Sequence, residues 1–144
     1  MNFLLSDDQV ALVDSVSAHL RDKCEPLRVH KIFDMPGAAQ FDADLWQSLC
    51  EMGVPAIMVP EDHGGLGLGL VDLAIVAEVL GKAAAPVPFL GHALAALAIA
   101  LAGSAAQKSR WLPLLVTGEV LATVALCEGR SGWMPDAWTM TNTS

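Results

Sequence analysis

Basic residues are scarce in this chain: eight lysines and arginines stand against sixteen aspartates and glutamates, for a formal net charge of -8. A surface of that sign repels phosphate backbones and anionic lipid, which argues against nucleic acid as a partner. Cysteine is thin as well. Cys24, Cys50 and Cys127 are odd in number and scattered, with no CxxC pair, and the four histidines lack metal-ligand spacing. A reducing cytoplasm is therefore the expected setting. The N-terminus has no positive segment and only the short apolar run Phe3–Leu5, so no signal peptide is expected there. Long apolar runs are also missing. The mean hydropathy of +0.47 raises the question of a membrane span. The one suspect segment, Phe89 to Ala102, is mostly alanine and carries His92, whereas a span needs about 20 strongly apolar residues. It reads as a buried helix.

What is present is a globular chain. Hydrophobic residues make up 53% and charged residues 17% of 144 residues, which excludes a disordered tail and suffices for one domain with a core. Ser6 and Gln9 have capping-box spacing, and Asp7 and Asp8 lie where a helix dipole favours acids. Val10, Val13, Val16 and Leu20 follow at helical spacing, and Pro26 ends this helix or marks its last turn. Arg28 to Gln40, with Pro36-Gly37, reads as a connection.

A second helix starts near Asp42, with Leu45, Leu49 and Met52 on one face and Gly53 as its cap. A third runs from about Leu70 to Leu80, apolar on two faces and hence central, and is closed by Gly81. A fourth follows Pro86 and Pro88, with Leu90, Leu94, Leu97, Ala98 and Leu101 as one face. Ser104 and Gln107 cap a fifth, and Pro113 is expected to open a fresh turn. Leu121 to Leu126 is strand-like, and Glu128 to Ser144 is polar and without period. The expected fold is an all-α domain of about five to six helices, orthogonal or bundle-like. It covers 1–120, and a β-strand begins near 121–126 within a segment 121–144 that starts a β domain.

The stretch His63-Gly64-Gly65-Leu66-Gly67-Leu68-Gly69 invites a nucleotide-binding reading, since an apolar run precedes it and a helix follows. The spacing fails. A dinucleotide fingerprint needs glycine or alanine where Leu70 stands, and a P-loop needs lysine there with serine or threonine in place of Val71. Tight turning and close packing at a helix start is the competing reading.

These residues also carry a family resemblance. Val59-Pro60-Glu61-Asp62-His63-Gly64-Gly65-Leu66-Gly67-Leu68 resembles the "P-E-x-x-G-G-x-G" signature of acyl-CoA dehydrogenases. Upstream, Leu45-Trp46-Gln47-Ser48-Leu49-Cys50-Glu51-Met52-Gly53 resembles the helix that precedes it in that family. Downstream, Gln107 to Glu119 is similar to the family's "Q-K-x-x-W-L-P-x-L-x-x-G-E" segment. The three matches are in order and cover the chain to about residue 128.

The resemblance implies a helical N-terminal domain followed by a β domain and a helical bundle. It implies FAD-dependent oxidation of the Cα–Cβ bond of an acyl-CoA thioester, in which a glutamate base takes the α-proton. In most members that glutamate lies in the C-terminal bundle, and no position here maps to it, so no catalytic residue is assigned. The family's flavin-side loop "T-E-P-x-A-G-S-D" corresponds to Leu126 to Trp133, where Glu128 and Gly132 keep the pattern. Leu126, Cys127 and Glu128 are the implied cofactor contacts, with Cys127 where threonine would bond the flavin; a thiol is a weak donor. Retention of FAD by this chain alone is not expected. Phe89, Leu90, Ala93 and Leu97 fall in the region that lines the acyl-chain tunnel in relatives, although a tunnel wall and a core look identical in sequence.

Other candidates have ordinary readings beside them. His63 and His92 are acids, ligands or satisfied histidines; Glu61 and Asp62 are an acid–base pair or solvated charges. Expected partners are an acyl-CoA substrate and a homo- or hetero-oligomer. The alternatives are a non-catalytic subunit of a mixed oligomer or a helical domain that binds acyl-CoA or lipid. The identity of the acyl group is beyond the sequence.

Overall fold

The computed structural model describes residues 4–34 and 41–125. Its elements are α1 (Asp7–Lys23), α2 (Pro26–Phe33), α3 (Ala43–Glu51), 3-10 turns at Val54–Ala56 and Glu61–His63, α4 (Leu70–Lys82), α5 (Phe89–Ala102) and α6 (Ala105–Val116). Among the described residues all regular structure is helical.

Local chemistry sets most of the boundaries. At α1, Ser6 Oγ accepts from the Gln9 N–H at 3.2 Å, and Gln9 Oε1 accepts from the Ser6 N–H at 3.1 Å. Ser104 and Gln107 repeat the box at α6. Asp42 caps α3 through the Leu45 N–H at 3.0 Å. Gly53 leaves that helix at φ 78°, a left-handed turn that suits glycine.

Several expectations are corrected. The segment from Arg28 to Phe33 is helical, because Pro26 opens a helix at a position where its missing N–H costs nothing. None of its residues is buried. α4 continues through Gly81 to Lys82, and the left-handed residue beyond it is Ala84, at φ 47°. α4 buries one face, Leu73, Val76 and Leu80, while Leu70 and Val71 are exposed. α6 runs on through Pro113. The hydrogen bond lost there falls at an exposed position, where water can satisfy the freed carbonyl. The strand expected near 121–126 does not form across 121–125, since no second strand among the described residues pairs with that segment; residue 126 lies outside the described residues.

α5 also differs from the sequence reading. Its buried residues are Phe89, His92, Ala93, Ala95 and Ala96, whereas of the leucine stripe Leu90 and Leu101 are exposed and Leu94 and Leu97 half-buried. Small side chains allow close approach: a Cβ at Gly91 would lie 2.8 Å from Thr123 Oγ1. α5 thereby joins two clusters. Phe89 and Ala93 belong to a larger one with Val16, Leu45, Trp46, Leu49, Val76 and Leu80. Ala96 packs with Val59, Leu112 and Leu115 in a smaller one, over which Val120 and Ala122 fold.

Candidate functional site

The four residues read as an acyl-chain wall do not share one face. Phe89 and Ala93 point into the larger core, each 4% exposed, whereas Leu90 is 57% exposed and Leu97 half-buried. Phe89 and Leu90 do meet at one place. With Phe33, Leu80, Ala84 and Val87 they line a cleft of about 320 Å³ between the ends of α2 and α4 and the start of α5. Ala77, Gly81 and Ala85 complete the lining, so no lining side chain is polar. A volume of this order lies at the lower end for small-molecule pockets, roughly 300–1,000 Å³. Leu126, Cys127 and Glu128 lie outside the described residues.

The glycine stretch is a packing device. The N–H groups of Gly65, Leu66, Gly67 and Leu68 donate to the carbonyls of Pro60, Ala56, Val59 and Ile57, at 2.8–3.2 Å. The Gly69 N–H goes to Asp72 Oδ2 at 2.8 Å. These donors are spent within the fold, so they form no phosphate cradle. A Cβ at Gly65 would overlap the Val59 carbonyl, which is why that position has no side chain.

The ionisable groups are held in structural roles. Asp42 is nearly buried and takes two bonds from the Arg28 guanidinium, Nε at 2.5 Å and the second at 2.8 Å. That guanidinium, with the Leu45 N–H, holds the Asp42 carboxyl below the usual carboxylate range against the opposing effect of burial. Asp72 is lowered too, first by the Gln9 side chain and then by the Gly69 N–H. Glu61 and Asp62 are exposed on a 3-10 turn, and His63 is half-buried beside them.

His92 is fully buried, with Nε2 on the Leu115 carbonyl at 2.9 Å. Sequence reasoning missed the contact of His19 Nε2 with Ser48 Oγ at 2.7 Å. The Ser48 hydroxyl donates to the Leu45 carbonyl at 2.8 Å, so it accepts from the imidazole and is not activated by it. Cys50 is buried and its thiol is pushed up to about 11, mainly by desolvation. Among the described residues no group of His, Cys, Asp and Glu could hold a metal ion, and no helix is long and apolar enough to cross a membrane.

Residues 6–119 match the pattern of the acyl-CoA dehydrogenase N-terminal domain. The chain belongs to the acyl-CoA dehydrogenase family. It is 35% identical over 121 residues to acyl-CoA dehydrogenase IpdE2 of Mycolicibacterium smegmatis, covering 83% of this chain and 37% of that protein. It is 32% identical over 136 residues to the mitochondrial isovaleryl-CoA dehydrogenase of Arabidopsis thaliana, covering 91% and 32%.

Among solved structures it is similar to the ChsE4-ChsE5 complex of Mycobacterium tuberculosis, at 30% identity and a TM-score of 0.81, covering 92% of this chain and 36% of that one. The chain thus spans about a third of the length of these curated relatives. The molecule is an N-terminal helical domain of the acyl-CoA dehydrogenase family, and its glycine stretch serves to seat the segment before α4.

Proposed function

We propose that this domain supplies the helical wall of the acyl site in an FAD-dependent acyl-CoA dehydrogenase that desaturates the Cα–Cβ bond of an acyl-CoA thioester. The observation that carries the reading is the apolar cleft at Phe89 and Leu90. A lining without charged or hydrogen-bonding side chains suits a hydrocarbon chain and not a nucleotide. In this reading Ala93 backs Phe89 from the core, and Leu97 extends the wall along the outer face of α5.

Desaturation needs a base for the α-proton and an acceptor for the β-hydride. FAD supplies the second when bound. The glycine stretch does not fit it, since its N–H donors are internally bonded, and no step is assigned through it. Leu126, Cys127 and Glu128 remain the proposed flavin-side contacts. Asp42 and Asp72 are both weakened as bases by their hydrogen bonds; the family resemblance, in most members of which the glutamate base lies in the C-terminal bundle, supports a base on another segment or chain. A helical unit over 1–120, with 121–144 beginning the next domain, is supported by the family match ending at residue 119. Cys24 and Cys50 are free thiols, in keeping with the cytoplasm.

A second reading is favoured by the similarity to a complex of two chain types: this chain is a non-catalytic subunit whose partner carries the base and flavin. A visible spectrum of the purified chain, taken after adding FAD and desalting, tests both. Loss of flavin is expected, and co-purification of a flavin-bearing chain selects the second reading. Stoichiometric flavin on the chain alone overturns the claim that the cofactor needs residues from elsewhere. Binding of acyl-CoA without any flavin-bearing partner points instead to a free-standing acyl-binding domain.

A further inference from the structure

His92 sits where three elements meet: α5, which carries it, the C-terminal end of α6, and α3. Its Nε2 lies 2.9 Å from the Leu115 carbonyl. A carbonyl only accepts, so the hydrogen of the neutral ring is on Nε2 and Nδ1 bears the lone pair. Leu115 belongs to the last turn of α6, whose carbonyls have no partner within the helix. The imidazole caps one of them from a neighbouring helix. The same oxygen accepts the Gly118 N–H at 3.2 Å. One carbonyl therefore fastens both α5 and the left-handed turn at Gly118 from which 119–125 departs. The Trp46 ring stands edge-on to the imidazole at 5.1 Å.

We propose that His92 is a proton-controlled latch. As a neutral ring it holds the end of α6, with the segment 117–125 that leaves it, against α5, and when protonated it lets that end open.

The surroundings set the sign. α3 presents the Trp46 ring and, one turn on, the Cys50 thiol, itself kept neutral by burial. The Val54–Ala56 turn carries no ionisable group, α6 presents Leu112 and Leu115, and Glu119 on the departing segment is exposed. Burial disfavours the imidazolium and is the larger influence; the Leu115 carbonyl favours it, and no charged side chain contributes. The negative end of the α6 dipole works with that carbonyl. A second N–H would be a buried donor, and Nδ1 has no partner among the described residues. The ring thus stays neutral to lower pH when latched than when released. Above its ordinary value of 6.5 the latch is intact. Below it, release takes up one proton, so the opening constant rises about tenfold per pH unit until the latched ring itself titrates.

Hydrogen exchange on the 144-residue chain between pH 7 and 5, expressed as opening constants, tests this beside His92→Gln. The glutamine amide can donate to the Leu115 carbonyl but does not titrate. In the native chain the Gly118 and Val120 amides, bonded to the Leu115 and Leu114 carbonyls, should lose protection as the pH falls below 6.5, by at most about tenfold per pH unit, while Leu20 and Val76 hold theirs. In His92→Gln the profile should be flat. Equal slopes in both chains, or simultaneous loss at Leu20 and Val76, would overturn the latch. If the variant does not fold, the imidazole resonances of the native chain decide. A ring that titrates below 6.5, with its hydrogen on Nε2 while neutral, supports the proposal. A ring half-protonated at pH 6.5 with Gly118 still protected refutes it.

Discussion

Gly118 stands directly over the Cys50 thiol, close enough that a Cβ on the glycine would overlap the sulfur. The contact joins the turn after α6 to the larger core, and Gly118 makes it at φ 73°, in the left-handed region. Two separate costs are therefore expected for Gly118→Ala: about 1–2 kcal/mol for the backbone conformation and about 1–3 kcal/mol for overpacking. Cys50→Ala should relieve only the second. Urea denaturation of the two single variants and the double variant measures the split; strict additivity would show that the two positions do not touch in solution.

The end of α4 places its residues against their preferences. Gly81 lies within the helix with open space around its Cα, and Ala84 takes the left-handed position at φ 47°. Gly81→Ala should stabilise by about 0.5–1 kcal/mol through helix propensity. Ala84→Gly should relieve about 1 kcal/mol of strain, partly offset by the greater freedom of an unfolded glycine. The exchanged pair is thus expected to raise the thermal midpoint above that of either single change. A lower midpoint for Gly81→Ala would mean that helix α4 ends before Gly81.

Asp42 joins three pieces of chain: it caps α3, takes the Arg28 side chain from α2, and its N–H donates to the Pro86 carbonyl at 2.7 Å. Asp42→Asn keeps cap geometry but loses the charge. Because Arg28 is 41% exposed, the expected cost is discounted to about 1–2 kcal/mol at pH 7. The carboxyl is held below its ordinary value of 3.8, so its contribution is complete above that pH and lost as the pH falls through the lowered value. Denaturation curves at pH 6 and pH 2.5 should show the difference between native chain and variant shrinking in acid. A constant difference would mean that the ion pair contributes nothing beyond the cap.

The parts of this fold that could be read in advance are those fixed by neighbouring residues. Ser6 with Gln9, Ser104 with Gln107, and Asp42 before Leu45 act within one turn, so the cap chemistry is written locally. Gly65 was legible for the same reason, as part of a stretch that fails every nucleotide spacing. α2 was not: it buries no residue and is tied down by an ion pair reaching from Arg28 to Asp42 past a Pro-Gly pair. Nor was Ala84, since the rule that puts glycine in the left-handed position pointed to Gly81. In α5, apolar residues surround the helix, and periodicity alone cannot tell which side is inside. The candidate wall inherited that ambiguity. Phe89 and Ala93 belong to the core, and only Phe89 and Leu90 meet at the cleft.

The orientation of α5 gives the sharpest test of the fold, because the two faces respond oppositely to size and polarity. Leu90 and Leu101 lie on the exposed stripe, and Ala96 is 2% exposed against Leu112 and Leu115. Replacing Leu90 and Leu101 by glutamine should change stability by no more than about 0.5 kcal/mol per site, as at other exposed positions. It should also reduce self-association of the chain, since a row of exposed leucines is an adhesive patch. Ala96→Leu, although it adds only apolar atoms, should cost about 1–3 kcal/mol by overfilling the smaller core. Sedimentation velocity and urea denaturation on the same three proteins read both effects. If the leucine replacements were the destabilising ones and Ala96→Leu neutral, the helix would be turned the other way, and Leu90 would have to leave the acyl-site wall.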